Sequence, residues 1–223
     1  MKRVGHKGAH HIAPGNTLAS FDAALEHGVD MVEFDVLRHR GRLLLAHDPQ
    51  DAQRRADAIT LEEGLDHLRD APVELLVDLK WKGYESEVLA ALHERELLGR
   101  CLISTMEAES LAAIRALDPA ARIGLSVPKL RRDPRERRFA RYPAYAVLGV
   151  ARELLPGRAA RALRAGRFDA LMSHEAMVTP RLVRAVHGAG GELYAWTVDE
   201  PRRIRALEAL GVDGVITNDP RLF

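Results

Sequence analysis

Residues 31–36, Met31-Val32-Glu33-Phe34-Asp35-Val36, form a short β-rich run with carboxylates at two alternate positions. Similar runs occur at residues 2–6, 74–79, 101–104, 122–126, 169–172, 191–197 and 213–217. Amphipathic helical patterns separate them, at residues 17–27, 60–69, 85–98, 107–117, 180–187 and 200–210. Eight strands that alternate with helices in a chain of 223 residues predict an α/β fold, a closed (β/α)8 TIM barrel.

Length and composition limit the classes of protein to consider. The chain is too short for two ordinary domains and a linker, so we expect a single domain over residues 1–223. Its 47% hydrophobic and 29% charged residues are typical of a globular protein. A net charge of +1 gives no reason to expect a nucleic-acid partner. Composition does not predict the oligomeric state.

The sequence gives no indication of secretion, of membrane insertion or of a reactive cysteine. Residues 1–6 lack the apolar run of a signal peptide, and no stretch approaches the roughly 18 apolar residues of a transmembrane segment. We therefore expect no transmembrane segment and a cytoplasmic location. The single Cys101 lies in an apolar run and is interpreted as a buried structural thiol.

Two segments fall outside the regular alternation. Residues 42–46 are apolar and closely follow Arg40-Gly41, which predicts a hairpin-like extension of the second strand that delivers His47-Asp48 near the strand's end. Residues 128–142 are rich in Arg and contain two prolines. This composition predicts a solvated loop with a helical turn, and contact with an anionic surface is the alternative interpretation.

Carboxylates collect where the strands of a barrel should end. Because strand side chains alternate with period two, Glu33 points to the same face as Asp35, and Asp78 to the same face as Lys80. Three carboxylates in one semi-enclosed space repel one another unless a cation or shared protons neutralise them. An all-oxygen ligand set favours Mg2+, Ca2+ or Mn2+. The alternative is a salt-bridge network in which Lys80 or Arg38 pairs with these carboxylates.

Two histidines directly follow β-rich runs. An imidazole has a proton affinity suited to acid–base catalysis near neutral pH, which makes His6 and His47 candidate catalytic residues. Each alone is better explained as a hydrogen-bonded structural histidine. Combined with a metal, and with Lys7 and Lys80 to bind the remaining charge of a phosphate, the set favours cleavage of a phosphodiester.

Several motifs, in their order and spacing, resemble the glycerophosphodiester phosphodiesterase family. The opening motifs are His6-Lys7-Gly8, Pro14-Gly15-Asn16-Thr17, Glu33-Phe34-Asp35 and His47-Asp48. The later ones are Val77-Asp78-Leu79-Lys80, Ile103-Ser104-Thr105, Trp196-Thr197-Val198-Asp199 and Gly211-Val212-Asp213-Gly214. The resemblance extends over nearly the whole chain.

This resemblance implies a TIM barrel that hydrolyses a small-molecule glycerophosphodiester to an alcohol and glycerol 3-phosphate. By the same implication His6 and His47 act as general acid and base, and Trp196 lines the substrate pocket. The implied cofactor is a divalent metal ion, commonly Ca2+ or Mg2+. Its implied ligands are Glu33, Asp35 and Asp78.

The chain departs from the family signature at three positions. Lys7 replaces an arginine, Gly15 an acidic residue and Asp78 a glutamate. The segment between His47-Asp48 and Thr60 is also much shorter than the family's usual capping segment, which predicts an open pocket. An open pocket would admit a bulky leaving group, so lysophospholipase D-like hydrolysis of lysophospholipids is an alternative. A catalytically impaired barrel that only binds phosphodiesters is another. The loop pair His10-His11 is interpreted as solvent-exposed, and a contribution to the site is the alternative interpretation.

Overall fold

The computed structural model describes residues 1–55, 58–129 and 141–223, with the backbone alone at residues 141–148 and 151. Eight strands pair in parallel, and the sheet closes because β1 pairs with both its last and its second strand. These strands are β1 (Lys2–Gly5), β2 (Met31–His39), β4 (Glu74–Leu79), β5 (Cys101–Thr105), β6 (Arg122–Val127), β7 (Ala170–His174), β8 (Glu192–Trp196) and β9 (Gly214–Thr217). The predicted TIM barrel and all eight of its strands are confirmed.

The predicted hairpin is also present. Strand β3 (Arg42–Leu45) runs antiparallel to the end of β2, with Leu45 opposite Val36. Strand β2 thus continues beyond the barrel, and β3 returns the chain to the level of the barrel's rim. This return places His47 close to the carboxylates of β2.

Helices follow the barrel strands. Their bounds are α1 (Leu18–Glu26), α2 (Pro49–Arg54), α3 (Leu61–Leu68), α4 (Glu85–Glu94), α5 (Ala108–Leu117), α6 (Arg141–Arg164), α7 (Pro180–His187) and α8 (Pro201–Leu210). Six of them match the sequence patterns, but the prediction that the fourth continues to Leu98 is wrong. Glu96 adopts a left-handed backbone conformation with φ of 57°, which an α-helix does not continue through.

Two helices were not predicted. Helix α2 is six residues long, and the side chain of Asp48 caps its first turn. Helix α6 contains Pro156 in its interior, and a proline ordinarily indicates a helix end in a sequence. The interpretation of residues 128–142 as a solvated loop falls mainly on residues 130–140, which lie outside the described residues.

Apolar side chains fill the space inside the barrel and the layer between strands and helices. The interior cluster consists of Val4, Met31, Leu76, Leu102, Ala170, Met172, Tyr194 and Ile216. Cys101 lies fully buried in the outer layer, where burial raises the pKa of its thiol to about 12. The thiol therefore stays protonated at neutral pH, which agrees with its interpretation as structural.

Ion pairs close the amino-terminal end of the barrel. Glu74 lies 2.5 Å from Lys2 Nζ and 3.1 Å from an Arg122 nitrogen. Arg122 also contacts Glu192 at 2.9 Å. Because these charged groups satisfy one another, this end is occupied by structural contacts, and the carboxyl ends of the strands remain for chemistry. Among the described residues, no helix combines the length and apolar character needed to cross a membrane.

Candidate active site

Three carboxylates converge inside the carboxyl end of the barrel. Strands β2 and β4 pair with Asp35 directly opposite Asp78, and Glu33 lies two residues before Asp35 on the same face. One oxygen from each of the three side chains lies within 4.8 Å of the others. Glu33 and Asp35 are buried, and Asp78 is partly buried. The clustering that period-two alternation predicted is present.

This cluster fits a divalent cation. A cation that binds oxygens at about 2.3–2.6 Å spans ligand oxygens up to about 5 Å apart, as these are. Asp35 Oδ1 is buried, and its contact among the described residues is the ion pair with Lys80 at 2.5 Å, which leaves a lone pair of this carboxylate oxygen free. An oxygen in this state retains capacity to coordinate. The donor set consists of carboxylates alone, which matches a hard cation such as Mg2+, Ca2+ or Mn2+.

Two lysines also lie among the carboxylates. Lys80 Nζ lies 2.5 Å from Asp35 Oδ1 and 2.7 Å from Asp78 Oδ2, and Lys7 Nζ lies 3.3 Å from Asp35 Oδ2. The salt-bridge alternative is therefore real for Lys80. It is wrong for Arg38, which pairs instead with Glu87 at 2.7 Å on the surface.

Burial and the neighbouring charges shift the pKa values of these groups in different directions. Burial and then the neighbouring Asp35 raise the pKa of Glu33 well above its usual value. Burial also acts to raise the pKa of Asp35, but Lys80 and Lys7 outweigh it and lower that pKa well below the ordinary range. Burial acts to lower the pKa of Lys80, but the carboxylates, Asp35 first, raise it overall. Asp35 and Lys80 are thus charged at neutral pH.

His6 lies immediately after β1, between the carboxylates and the end of β9. Its Nε2 is 3.9 Å from Glu33 Oε2, and its Nδ1 is 2.6 Å from Asn218 Oδ1. Burial first, and then the Lys7 ammonium, lower the pKa of His6 to about 4, while its side chain keeps 21% of its surface exposed. The imidazole is therefore neutral near pH 7 and is able to accept a proton.

His47 contacts the carboxylate cluster through Asp35. Its Nδ1 is 3.2 Å from Asp35 Oδ2, and 54% of its side chain is exposed. Its backbone N–H donates to Asp51 Oδ2 at 3.1 Å, and Asp48 accepts from the Asp51 backbone N–H at 2.8 Å. Helix α2 therefore positions His47, and Asp48 serves as the cap of that helix.

The loop after β1 holds both the lysine and the central carboxylate. The Lys7 backbone N–H donates to Glu33 Oε2 at 2.7 Å. Buried Asn16 bonds to Asp35 twice, through Nδ2 to Oδ2 and through Oδ1 from the Asp35 backbone N–H, each at 3.0 Å. No role in the site was predicted for Asn16, whose neighbour Thr17 caps helix α1. The signal for a further role was the position of Asn16 within the motif Pro14-Gly15-Asn16-Thr17.

The glycine at position 15 has a steric explanation. A Cβ atom added to Gly15 would lie 2.7 Å from His10 Nδ1 and 2.9 Å from Lys7 Cβ, both closer than real Cβ atoms approach other atoms. His10 Nδ1 also accepts a hydrogen bond from the Gly15 backbone N–H at 3.1 Å. The His10 ring thus occupies the space that a side chain at position 15 would need, although His10 itself is exposed as predicted.

Trp196 ends β8 beside the interior cluster. Its Nε1 donates to the Met172 carbonyl at 3.0 Å, and its ring meets the His174 ring edge-on with centroids 5.3 Å apart. The side chain is partly exposed at the carboxyl end of the barrel. Its contact with substrate stays a prediction.

The glycerophosphoryl diester phosphodiesterase family has a sequence profile that matches residues 6–97 and 50–222 of the chain. The chain belongs to this family. The resemblance inferred from the motifs is thus confirmed, and the family is one of phosphoric diester hydrolases.

Two relatives that match nearly all of this chain carry the family name. A glycerophosphodiester phosphodiesterase of Caldanaerobacter subterraneus is 24% identical over 97% of this chain and 93% of its own length. One of Arabidopsis thaliana is 26% identical over 98% of this chain and 70% of its own length.

Solved structures of family members share the barrel. A glycerophosphodiester phosphodiesterase from Agrobacterium tumefaciens superimposes with a TM-score of 0.72 at 20% identity, over 100% of this chain and 99% of that one. A phosphodiesterase from Oleispira antarctica, solved in complex with the product sn-glycerol-3-phosphate, gives a TM-score of 0.72 at 22% identity, over 99% and 94% of the two chains. These two similarities establish the fold.

Proposed function

We propose that this protein hydrolyses glycerophosphodiesters to an alcohol and glycerol 3-phosphate with the help of a divalent cation. One observation carries the proposal: a cluster of three carboxylates with oxygens within 4.8 Å lies at the same barrel end as two imidazoles and two ammonium groups. Membership in the phosphodiesterase family and the glycerol 3-phosphate bound to the Oleispira antarctica protein support the same chemistry.

The chain's own groups divide into charge binding and proton transfer. Glu33, Asp35 and Asp78 would hold the cation, which supplies Lewis-acid stabilisation of charge on a phosphoryl oxygen. The ammonium groups of Lys7 and Lys80 would bind the remaining phosphate charge as point charges. Trp196 would contact the substrate at the carboxyl end of the barrel.

The surroundings of the two histidines differ, and they indicate which proton each one transfers. We assign to His6 the general-base role, because its neutral ring has a lone pair that accepts a proton. It takes the proton from an attacking water, or from a substrate hydroxyl, in which case water opens the resulting cyclic phosphodiester in a second step to give glycerol 3-phosphate. As the bond from phosphorus to the alcohol oxygen breaks, His47 donates a proton to that oxygen. We assign this role to His47 because its side chain is 54% exposed, against 21% for that of His6, so an alcohol released beside it would reach solvent directly.

The first test compares histidines inside and outside the site. We expect His6→Ala and His47→Ala each to lower kcat by about 100-fold or more while circular dichroism stays unchanged. His93→Ala is a matched control, because His93 also pairs with a carboxylate, Asp118 at 2.8 Å, but lies on helix α4. Near-normal turnover in either of the first two variants would remove that histidine from the mechanism.

A second test addresses the cation. EDTA is expected to abolish turnover, and Ca2+, Mg2+ or Mn2+ to restore it. Turnover that persists in EDTA after dialysis would contradict a required metal, whatever the substrate.

The short cover over the site favours one further candidate activity. Residues 46–60 separate β3 from α3, and α2 is the element described within them. Lysophospholipase D-like hydrolysis would use the same groups on a bulkier leaving group. Assays of glycerophosphocholine, glycerophosphoethanolamine, glycerophosphoinositol and a lysophospholipid with each metal would rank the two activities. Binding of these compounds without turnover would instead indicate the impaired barrel.

The cytoplasmic location and the single domain over residues 1–223 stay predictions.

A further inference from the structure

A chain of hydrogen bonds leads away from His6 on the side opposite the carboxylates. His6 Nδ1 lies 2.6 Å from Asn218 Oδ1, and Asn218 Nδ2 donates to Asp199 Oδ2 at 2.6 Å. The backbone N–H of Asn218 donates to Asp199 Oδ1 at 2.8 Å, and Thr217 Oγ1 donates to the same oxygen at 3.0 Å. Asn218, Asp199 and Thr217 do not belong to the carboxylate cluster.

Donor and acceptor rules fix the direction of this chain. An ionised carboxylate only accepts hydrogen bonds, so Asp199 requires the NH2 side of the Asn218 amide. The oxygen of that amide therefore faces His6, and an amide oxygen only accepts. Nδ1 of His6 must then carry the proton, which leaves the lone pair of the neutral ring on Nε2.

Closure of the barrel builds this arrangement. His6, Asp199 and Asn218 follow strands β1, β8 and β9 respectively. These strands are neighbours in the sheet, and Gly5 pairs with Thr217 where the barrel closes. The His6 backbone N–H also donates to the Thr217 carbonyl at 2.8 Å. Thr217 thus holds the backbone of His6, and Asn218 holds its ring.

We propose that Asn218, oriented by Asp199, is a positioning residue that keeps His6 in the tautomer with its proton on Nδ1 and its Nε2 lone pair available to the substrate. The catalytic part of this inference rests on the proposed function, because only a reaction that uses His6 Nε2 as a base needs that tautomer. The tautomer itself is a property of the protein without substrate.

The tautomer is measured directly by 15N NMR of the histidine rings. We expect a protonated Nδ1 and an unprotonated Nε2 for His6 in the parent protein above the pKa of its ring. A predominant Nε2–H tautomer in the parent protein would overturn the proposal without any variant or any assay of turnover. This measurement also separates the proposal from the proposed function, since the tautomer can be correct in a protein that turns over no glycerophosphodiester.

Variants then test the link to turnover. Asn218→Leu removes the acceptor at similar volume, and we expect a mixture of His6 tautomers and a fall in kcat of about 10- to 100-fold with little change in KM. The swapped pair Asn218→Asp with Asp199→Asn keeps an acceptor facing His6 and a donor facing that acceptor. We expect the swap to restore the Nδ1–H tautomer and to recover kcat to within about fivefold of the parent at the plateau of the pH profile.

Two results would contradict these expectations. A folded Asn218→Leu protein with the parent tautomer and parent kcat would show that His6 needs no orientation from Asn218. A folded swap variant as impaired as Asn218→Leu, in both tautomer and kcat, would show that hydrogen-bond polarity is not what the pair supplies. If Asn218→Leu does not fold, the parent tautomer and the swap variant still decide the question.

Discussion

Replacing Gly15 with the glutamate of the family signature is expected to damage this protein. A Cβ atom at position 15 would lie 2.7 Å from His10 Nδ1 and 2.9 Å from Lys7 Cβ. The imidazole could rotate away, but the Cβ of Lys7 is attached to a backbone with φ of 52°, so relief there requires movement of the loop. That loop carries His6 and Lys7, and the reaction therefore suffers along with stability.

The expected loss of stability has two parts. Displacing His10 breaks its hydrogen bond with the Gly15 backbone N–H, which is worth about 1 kcal/mol. Forcing extra atoms into a closely packed position costs about 1–3 kcal/mol more. A total of about 2–4 kcal/mol corresponds to a Tm lowered by roughly 5–15 °C in a chain of this length.

Three variants separate the causes. Thermal denaturation and kcat would be measured for Gly15→Ala, for Gly15→Glu and for Gly15→Glu combined with His10→Ala. We expect Gly15→Ala to lose most of the stability that Gly15→Glu loses, because the Cβ atom causes the collision. The combined variant should recover part of it by freeing the imidazole's space. A Gly15→Glu protein at least as stable and as active as the parent would refute this reasoning.

Two further predictions concern contacts away from the site. Glu74→Gln should lower stability by at most about 1 kcal/mol at pH 7, because Glu74 is partly exposed. Burial acts to raise the pKa of Glu74, but Lys2 and Arg122 lower it overall, so the stabilisation is present above a pH of about 4.5 and is lost as pH falls through the folded-state pKa. Urea midpoints of parent and variant should therefore converge as the pH falls from about 4.5 through the lower folded-state pKa of Glu74, and a difference that grows over this range would contradict the assignment. Arg100→Met should lower stability by about 2–4 kcal/mol with unchanged kcat at 25 °C, because its guanidinium donates to four backbone carbonyls; an unchanged urea midpoint would argue against those bonds.

The sequence was sufficient for the barrel because its signals are local. Each strand is a short β-rich run and most helices carry an amphipathic period, so eight repeats of the pattern leave few alternatives. Helix α6 escaped detection because Pro156 lies in its interior, where an isolated helix would lose stability. Tertiary packing decides such cases: Pro156, Ala159 and Ala160 are buried against the rest of the protein.

The candidate site was predictable to the extent that it depends on strand periodicity. Glu33 and Asp35 share a face because strands alternate, and Asp78 joins them because β2 and β4 are neighbours. The bond between His6 and Asn218 spans 212 positions and exists only when the barrel closes, so no local pattern indicates it. The packing of the His10 ring beside Gly15 likewise depends on the path of a loop, which composition does not determine.

The brief connection between β3 and α3 has a consequence for the conditions under which the enzyme works. Residues 46–60 connect those elements and His47 is more than half exposed, so we expect dissolved ions to reach the side of the site next to His47. Charges within reach of bulk electrolyte are screened over roughly 8–10 Å at 0.1–0.15 M ionic strength. We therefore expect the KM for an anionic diester to rise with added potassium chloride, since the diester is attracted through solvent while it approaches Lys7, whose side chain is 15% exposed.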